Sequence, residues 1–129
     1  VDWAEATFFD RVIYDLWLDP KDVRARFDLA AIASLHRPLN EALARDWRDI
    51  APGADAAVVE FEFRATGNAK RKMLRRLDGH VLKHSGGLRL RSSMSLEWLD
   101  DYVLAYEIVA RECGGKLVGW RYVKSPLPD

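Results

Sequence analysis

Apolar residues recur at helical spacing through the first fifty positions, then switch to strict alternation at Ala56. In residues 3–18, Phe9, Val12, Ile13 and Leu16 repeat every three or four places behind Asp2, a candidate N-cap. Asp19-Pro20-Lys21-Asp22 predicts a restart, with Asp19 as N-cap, Pro20 at N1 and Asp22 reaching back from N3. Val23, Phe27, Ala30, Ala31 and Ser34 share one side of this second helix until His36-Arg37-Pro38 interrupts it. Pro38 then opens a third, striped by Leu39, Leu43, Trp47 and Ile50.

From Ala56 the period is two: Val59, Phe61, Phe63 and Ala65 point one way, and Val58, Glu60, Glu62 and Arg64 the other. Asn68 caps a predicted helix over 69–78 that Gly79 stops. Residues 80–85 and 88–95 flank Gly86-Gly87 as a hairpin. Ser95 caps a long helix that ends before Gly114, its early Glu97, Asp100 and Asp101 and late Arg111 matching the helix dipole. Residues 116–123 close as a strand. The predicted fold class is therefore α+β: a ferredoxin-like β-α-β-β-α-β domain at 55–129, with an N-terminal helical extension, 1–54, packed on it.

In that architecture the first strand lies between the third and the fourth. Its outward Glu60 and Glu62 then meet Arg89 and Arg91 on one side and Arg121 on the other, the arrangement that cross-strand pairing favours. The inward face would hold Phe61, Phe63, Leu88, Leu90, Val118, Trp120 and Tyr122. On the long helix, Trp98, Tyr102, Ala105, Tyr106 and Val109 form a stripe for the sheet. Leu104 and Ile108 lie almost opposite, and the amino-terminal helices are expected to cover them.

Composition narrows the function classes. With 129 residues, 49% hydrophobic and fourteen aromatic, the chain can fold around one core without staples. One cysteine allows no internal disulfide and fits a reducing, cytoplasmic location. No stretch approaches the roughly 20 apolar residues of a membrane span, and no signal-peptide pattern opens the chain. It begins at Val1 rather than Met, which leaves open whether residues precede it. Twenty basic residues balance twenty acidic ones, but unevenly: residues 1–55 carry −4 (seven bases, eleven acids), 56–91 carry +6 (nine, three) and 92–129 carry −2 (four, six).

The basic middle centres on Arg71, Lys72, Arg75 and Arg76, a contiguous arc opposite Ala69, Met73, Leu74 and Leu77. Such an arc serves as a solvated face, a contact for an acidic protein surface, or a phosphate grip. Against the last, the outward sheet positions are charged and offer no aromatic platform for bases. No catalytic constellation emerges. His80 and His84 lie roughly 13 Å apart in extended chain, too far for one zinc ion; His36, at a helix end, has no partner, and no metal or cofactor is expected. Cys113 sits where the helix dipole and Glu112 disfavour thiolate. Asp100 and Asp101 diverge, arginines strengthen the acidity of Glu60 and Glu62, and Ser85 lacks a nucleophile elbow.

The stretch "ARECGGKLVGWRYV", 110–123, ends a helix at Gly-Gly and enters a strand with Gly119-Trp120. It resembles the end of the regulator of ribonuclease activity B family, inhibitors of ribonuclease E, where a helix leads into a Tyr-Asp-Gly-Trp strand. "VVEFEFRATGNAKRKMLRRLDGHVLKHSGG", 58–87, is similar to that family's strand and helix, so the resemblance spans 57–123. Leu117-Val118 replace its Tyr-Asp, and the first helix is basic where some members are acidic. The resemblance implies a domain that acts by binding another protein, without turnover. Gly119 would relieve crowding beside an inward Trp120.

The expectation is thus a non-catalytic protein-binding regulatory domain with an acidic-surfaced protein partner, contacted by Arg71, Lys72, Arg75 and Arg76. The alternative is a nucleic-acid-binding domain using helix 69–78. A third reading is a small enzyme with a pocket between extension and sheet. A homodimer through the edge strand at 81–85 is open.

Overall fold

The computed structural model describes residues 4, 6–51, 53, 56–77, 79–84 and 86–123, with the backbone alone at 80, 83 and 84. Asp2, Asp78, Ser85 and the predicted junction at 54–55 lie outside the described residues. The first helix, α1, Phe8–Asp15, starts later than its periodicity suggests because Thr7 and Asp10 form a capping box. The Thr7 hydroxyl accepts from Asp10 N (3.2 Å) and Asp10 accepts from Thr7 N (3.0 Å), so two orphan amides are satisfied reciprocally.

Asp19 caps α2, Pro20–Arg26, through Lys21 N at 3.0 Å, as expected. Asp22 does not reach back; it accepts from Arg26 Nε at 3.0 Å. The next break also differs from expectation. Phe27 is extended, Asp28 accepts from Ala31 N, and α3 runs uninterrupted from Leu29 to Ile50 through Pro38. The bond that Pro38 cannot make falls at Ser34, on the exposed side, where water can solvate the freed carbonyl. Ile32, His36 and Asn40, four apart and buried, hold the helix against α5 across the proline. His36 is therefore a mid-helix residue and not a helix end.

The remaining elements are β1 (Ala56–Arg64), α4 (Gly67–Arg76), β2 (His80–His84), β3 (Gly87–Ser95), a 3-10 turn (Leu96–Trp98), α5 (Leu99–Cys113) and β4 (Lys116–Tyr122). The fold is α+β, with five helices and a four-stranded antiparallel sheet among the described residues. Strand order is β2-β3-β1-β4, which puts β1 between β3 and β4. Glu60 faces Arg91 on β3 and Arg121 on β4, and Glu62 faces Arg89, the charge order that the alternation predicts.

Several boundaries move. α4 begins at Gly67 after Thr66 and ends at Arg76, with Leu77 already extended, in place of 69–78 behind Asn68. Ser95 makes no side-chain cap, and the 3-10 turn precedes α5. Gly87 opens β3, paired with Arg64 and His84, and has to be glycine because a Cβ there would stand 2.0 Å from the Phe63 carbonyl oxygen. In β4 the register slips between Glu62 and Phe63, so that Glu62 pairs with Gly119 and Phe63 with Leu117. This bulge turns Leu117 inward and leaves Val118 45% exposed, reversing the orientation expected for Val118.

One apolar core joins the sheet to the helices. Phe61 and Phe63 meet the Tyr106 ring at 4.6 and 6.3 Å, and Met73 of α4 is fully buried. Ile108 and Leu104 are buried in the same cluster as Ile13, Leu16, Val23 and Ile32, so α5 is covered on its second strip. Burial of a side chain such as Ile108 contributes about 1.5–3 kcal/mol. Polar ties reinforce this packing: Asn40 donates to Asp100 (2.7 Å), Trp120 Nε1 donates to Asn40 (2.8 Å), and Arg26 donates to Glu112 (2.7 Å). Trp98, expected to face the sheet, stacks on Phe8 of α1 at 4.2 Å. Among the described residues, no helix is long and apolar enough to cross a membrane.

Candidate anion-binding surface

Met73 anchors α4, and that anchor decides which residues face outward. With Met73 buried and Leu74 and Leu77 packed against the core, Arg71, Lys72 and Arg75 are exposed and Arg76 is half-buried. The sequence-predicted quartet is thus brought together on one helix. Among the described residues, none of the four pairs with a carboxylate: Arg71 donates to the Asn68 side chain, and Arg76 Nη1 donates to the Trp17 carbonyl at 2.5 Å.

Five arginines elsewhere have carboxylate partners among the described residues. Arg24 pairs with Asp10 at 2.6 Å, Arg26 with Asp22 and Glu112, and Arg111 with Glu107. On the open face of the sheet, Arg91 and Arg121 donate to the two oxygens of Glu60, at 3.0 and 2.9 Å. Burial pushes the Glu60 carboxyl up, and the two guanidiniums more than reverse this, holding it below the ordinary carboxylate range. This face is a charge lattice with one small cleft of about 190 Å³, lined by Glu60, Glu62, Arg89, Gly119, Trp120 and Arg121. A Cβ at Gly119 would meet open space, so relief of crowding does not explain that glycine.

The other polar candidates are structural. Burial raises the Cys113 thiol, against the lowering influence of Arg76 and Lys72. His36 Nε2 stands 3.7 Å from Glu107, and its ring lies edge-on to Trp120 at 5.2 Å. Burial also raises Glu107, and His36 and Arg111 together hold it below its usual range. Asp101 is raised by burial and by Asp100, which is itself tied to Asn40. Among the described residues, no group of three or more His, Cys, Asp or Glu could hold a metal ion.

Trp17 is the residue that sequence periodicity misses. It stands four residues beyond Ile13, on the buried stripe of a continuing helix, but α1 has already ended. Its side chain is 76% exposed and shares a depression of about 250 Å³ with Lys72, Arg75 and Arg76. The available signal was Asp19-Pro20: a helix restart there forces the two preceding residues into a turn. The chain matches no protein-family model, no curated protein and no solved structure.

Proposed function

We propose that this protein is a non-catalytic binding domain, ferredoxin-like in its β-α-β-β-α-β order, that engages an anionic macromolecule through the exposed face of α4. The observation that carries this reading is the clustering of Arg71, Lys72, Arg75 and Arg76 on one short helix where, among the described residues, none of them has a carboxylate partner. Arg71 with Arg75, and Lys72 with Arg76, are like-charged neighbours at i,i+4, each pair costing roughly 0.2–0.5 kcal/mol in an isolated helix. Arg75 and Arg76 recover part of that from the dipole at the helix end; Arg71 and Lys72, a turn earlier, do not. An anionic partner supplies the missing compensation.

An acidic protein surface, which the resemblance to the ribonuclease E inhibitors implies, and a nucleic acid both fit a cationic face. Reversal of charge separates this reading from an inert solvated face. On a heparin column the native protein should be retained at 50 mM salt, and Arg71→Glu with Arg75→Glu should abolish retention while the circular dichroism spectrum stays unchanged. Passage of the native protein straight through the column would contradict the reading.

A further inference from the structure

α1 ends in a Schellman motif. Trp17 N donates to the Tyr14 carbonyl (3.0 Å) and Leu18 N to the Ile13 carbonyl (3.1 Å), with Trp17 between them at φ 65. The left-handed position of this motif is usually glycine, because a Cβ there crowds the following carbonyl. α5 ends in the same motif and does use glycine: Gly114, at φ 85, donates to Arg111 and Gly115 donates to Ala110. Among the described residues, Trp17 alone adopts a positive φ without being glycine. Its ring gains little burial in exchange. Neither backbone preference nor packing accounts for a tryptophan at this turn.

The surroundings supply an account. The Arg76 bond to the Trp17 carbonyl ties the turn to α4, with the indole beside Lys72 and Arg75. On its other side Trp17 lines a hollow of about 650 Å³ with Tyr14, Asp15, Leu18 and Asp19, and the Tyr14 ring is 56% exposed. An exposed aromatic face next to a row of cations is the pairing that single-stranded nucleic acid uses, bases on rings and phosphates on basic side chains.

We infer that Trp17 and the cationic face of α4 form a site for a single-stranded polynucleotide, with a base stacked on the indole and phosphates on Lys72, Arg75 and Arg76. The inference rests on the anion-binding reading of α4 and adds to it the class of partner. Asp15 and Asp19 repel phosphate from the far side of the ring, so the backbone follows α4. A duplex keeps its bases stacked internally and presents none to the indole. An acidic peptide satisfies the cations but has no need of a flat ring among them.

Fluorescence anisotropy with a mixed-sequence 12-nucleotide RNA, the DNA of the same sequence, its duplex and poly-L-glutamate tests this. For the single strands, log K should fall with log salt at a slope of about −2, for three phosphate contacts. Trp17→Gly suits the left-handed turn, so it should raise the melting temperature. It should also weaken single-strand binding roughly 5- to 150-fold, the range of one lost base stack, with the salt slope unchanged. Trp17→Phe should recover most of the affinity. A preference for RNA or for DNA would identify which single strand the site takes. If Trp17→Gly binds as tightly as the native protein while the Arg71/Arg75 reversal abolishes binding, the stacking inference falls and the anion-binding reading stands. Tighter binding of polyglutamate than of either single strand would overturn the inference in favour of an acidic protein. Binding of none of these probes would overturn both.

Discussion

Glu60 is 3% exposed and takes a guanidinium on each carboxylate oxygen. Replacing it by Gln removes the charge and leaves Arg91 and Arg121 facing one another across β1. Both arginines keep some contact with solvent, so the expected loss is about 1–3 kcal/mol, short of the penalty for a fully buried pair. The pH dependence has a definite sign. A carboxyl held below its ordinary 4.5 adds stability above that pH and loses it as pH falls towards its folded value. Asp10 and Glu107, also lowered, act in the same direction. The native protein should lose stability below about pH 4.5, and Glu60→Gln should lose less over that interval in urea melts at stepped pH. This part of the sheet was legible in the sequence, because alternation and opposite charge fix strand register together. Trp17 was not legible in the apolar spacing, which runs on past Asp15; only the restart at Asp19-Pro20 marks the stop.

Helices carry the larger differences between expectation and structure, and the reason is local chemistry at their ends. Apolar periodicity marks the buried face of α1 correctly but is silent on its start, which Thr7 and Asp10 decide. Thr7→Ala breaks the capping box and should cost about 1 kcal/mol in thermal or denaturant unfolding, with the strands unaffected. Restoration of full stability by any alanine-capped variant would argue against the box as the start signal. Pro38 misleads in the opposite sense: proline reads as a helix opening, yet Asp28 caps earlier and buried Ile32, His36 and Asn40 carry α3 across it. In β4, one extra residue converts Leu117 into the core residue and Val118 into a surface one. Two-residue alternation cannot reveal such a bulge, because it carries no marker of where the count slips.

At the scale of the whole molecule, the two halves of the charge pattern separate by role. Acidic groups of the helices and the sheet neutralise arginines within the fold, as in Arg24–Asp10, Arg26–Glu112 and Glu60 with Arg91 and Arg121. The basic excess of the middle segment is left on α4, beside the turn that holds Trp17. The four cations were visible in the sequence as one helical arc; the ring beside them was not, because residues 17 and 72–76 meet only through the tertiary packing of α1 and α4 around α5. The open face of the sheet, with its arginine–glutamate lattice, is the competing surface for a partner. Amide shift mapping by NMR as a single-stranded RNA 12-mer is added at 50 mM salt distinguishes the two directly. The largest shifts are expected at residues 14–19 and 71–76. Shifts concentrated at residues 60, 62, 89 and 119–121, or none at saturating RNA, would contradict this assignment.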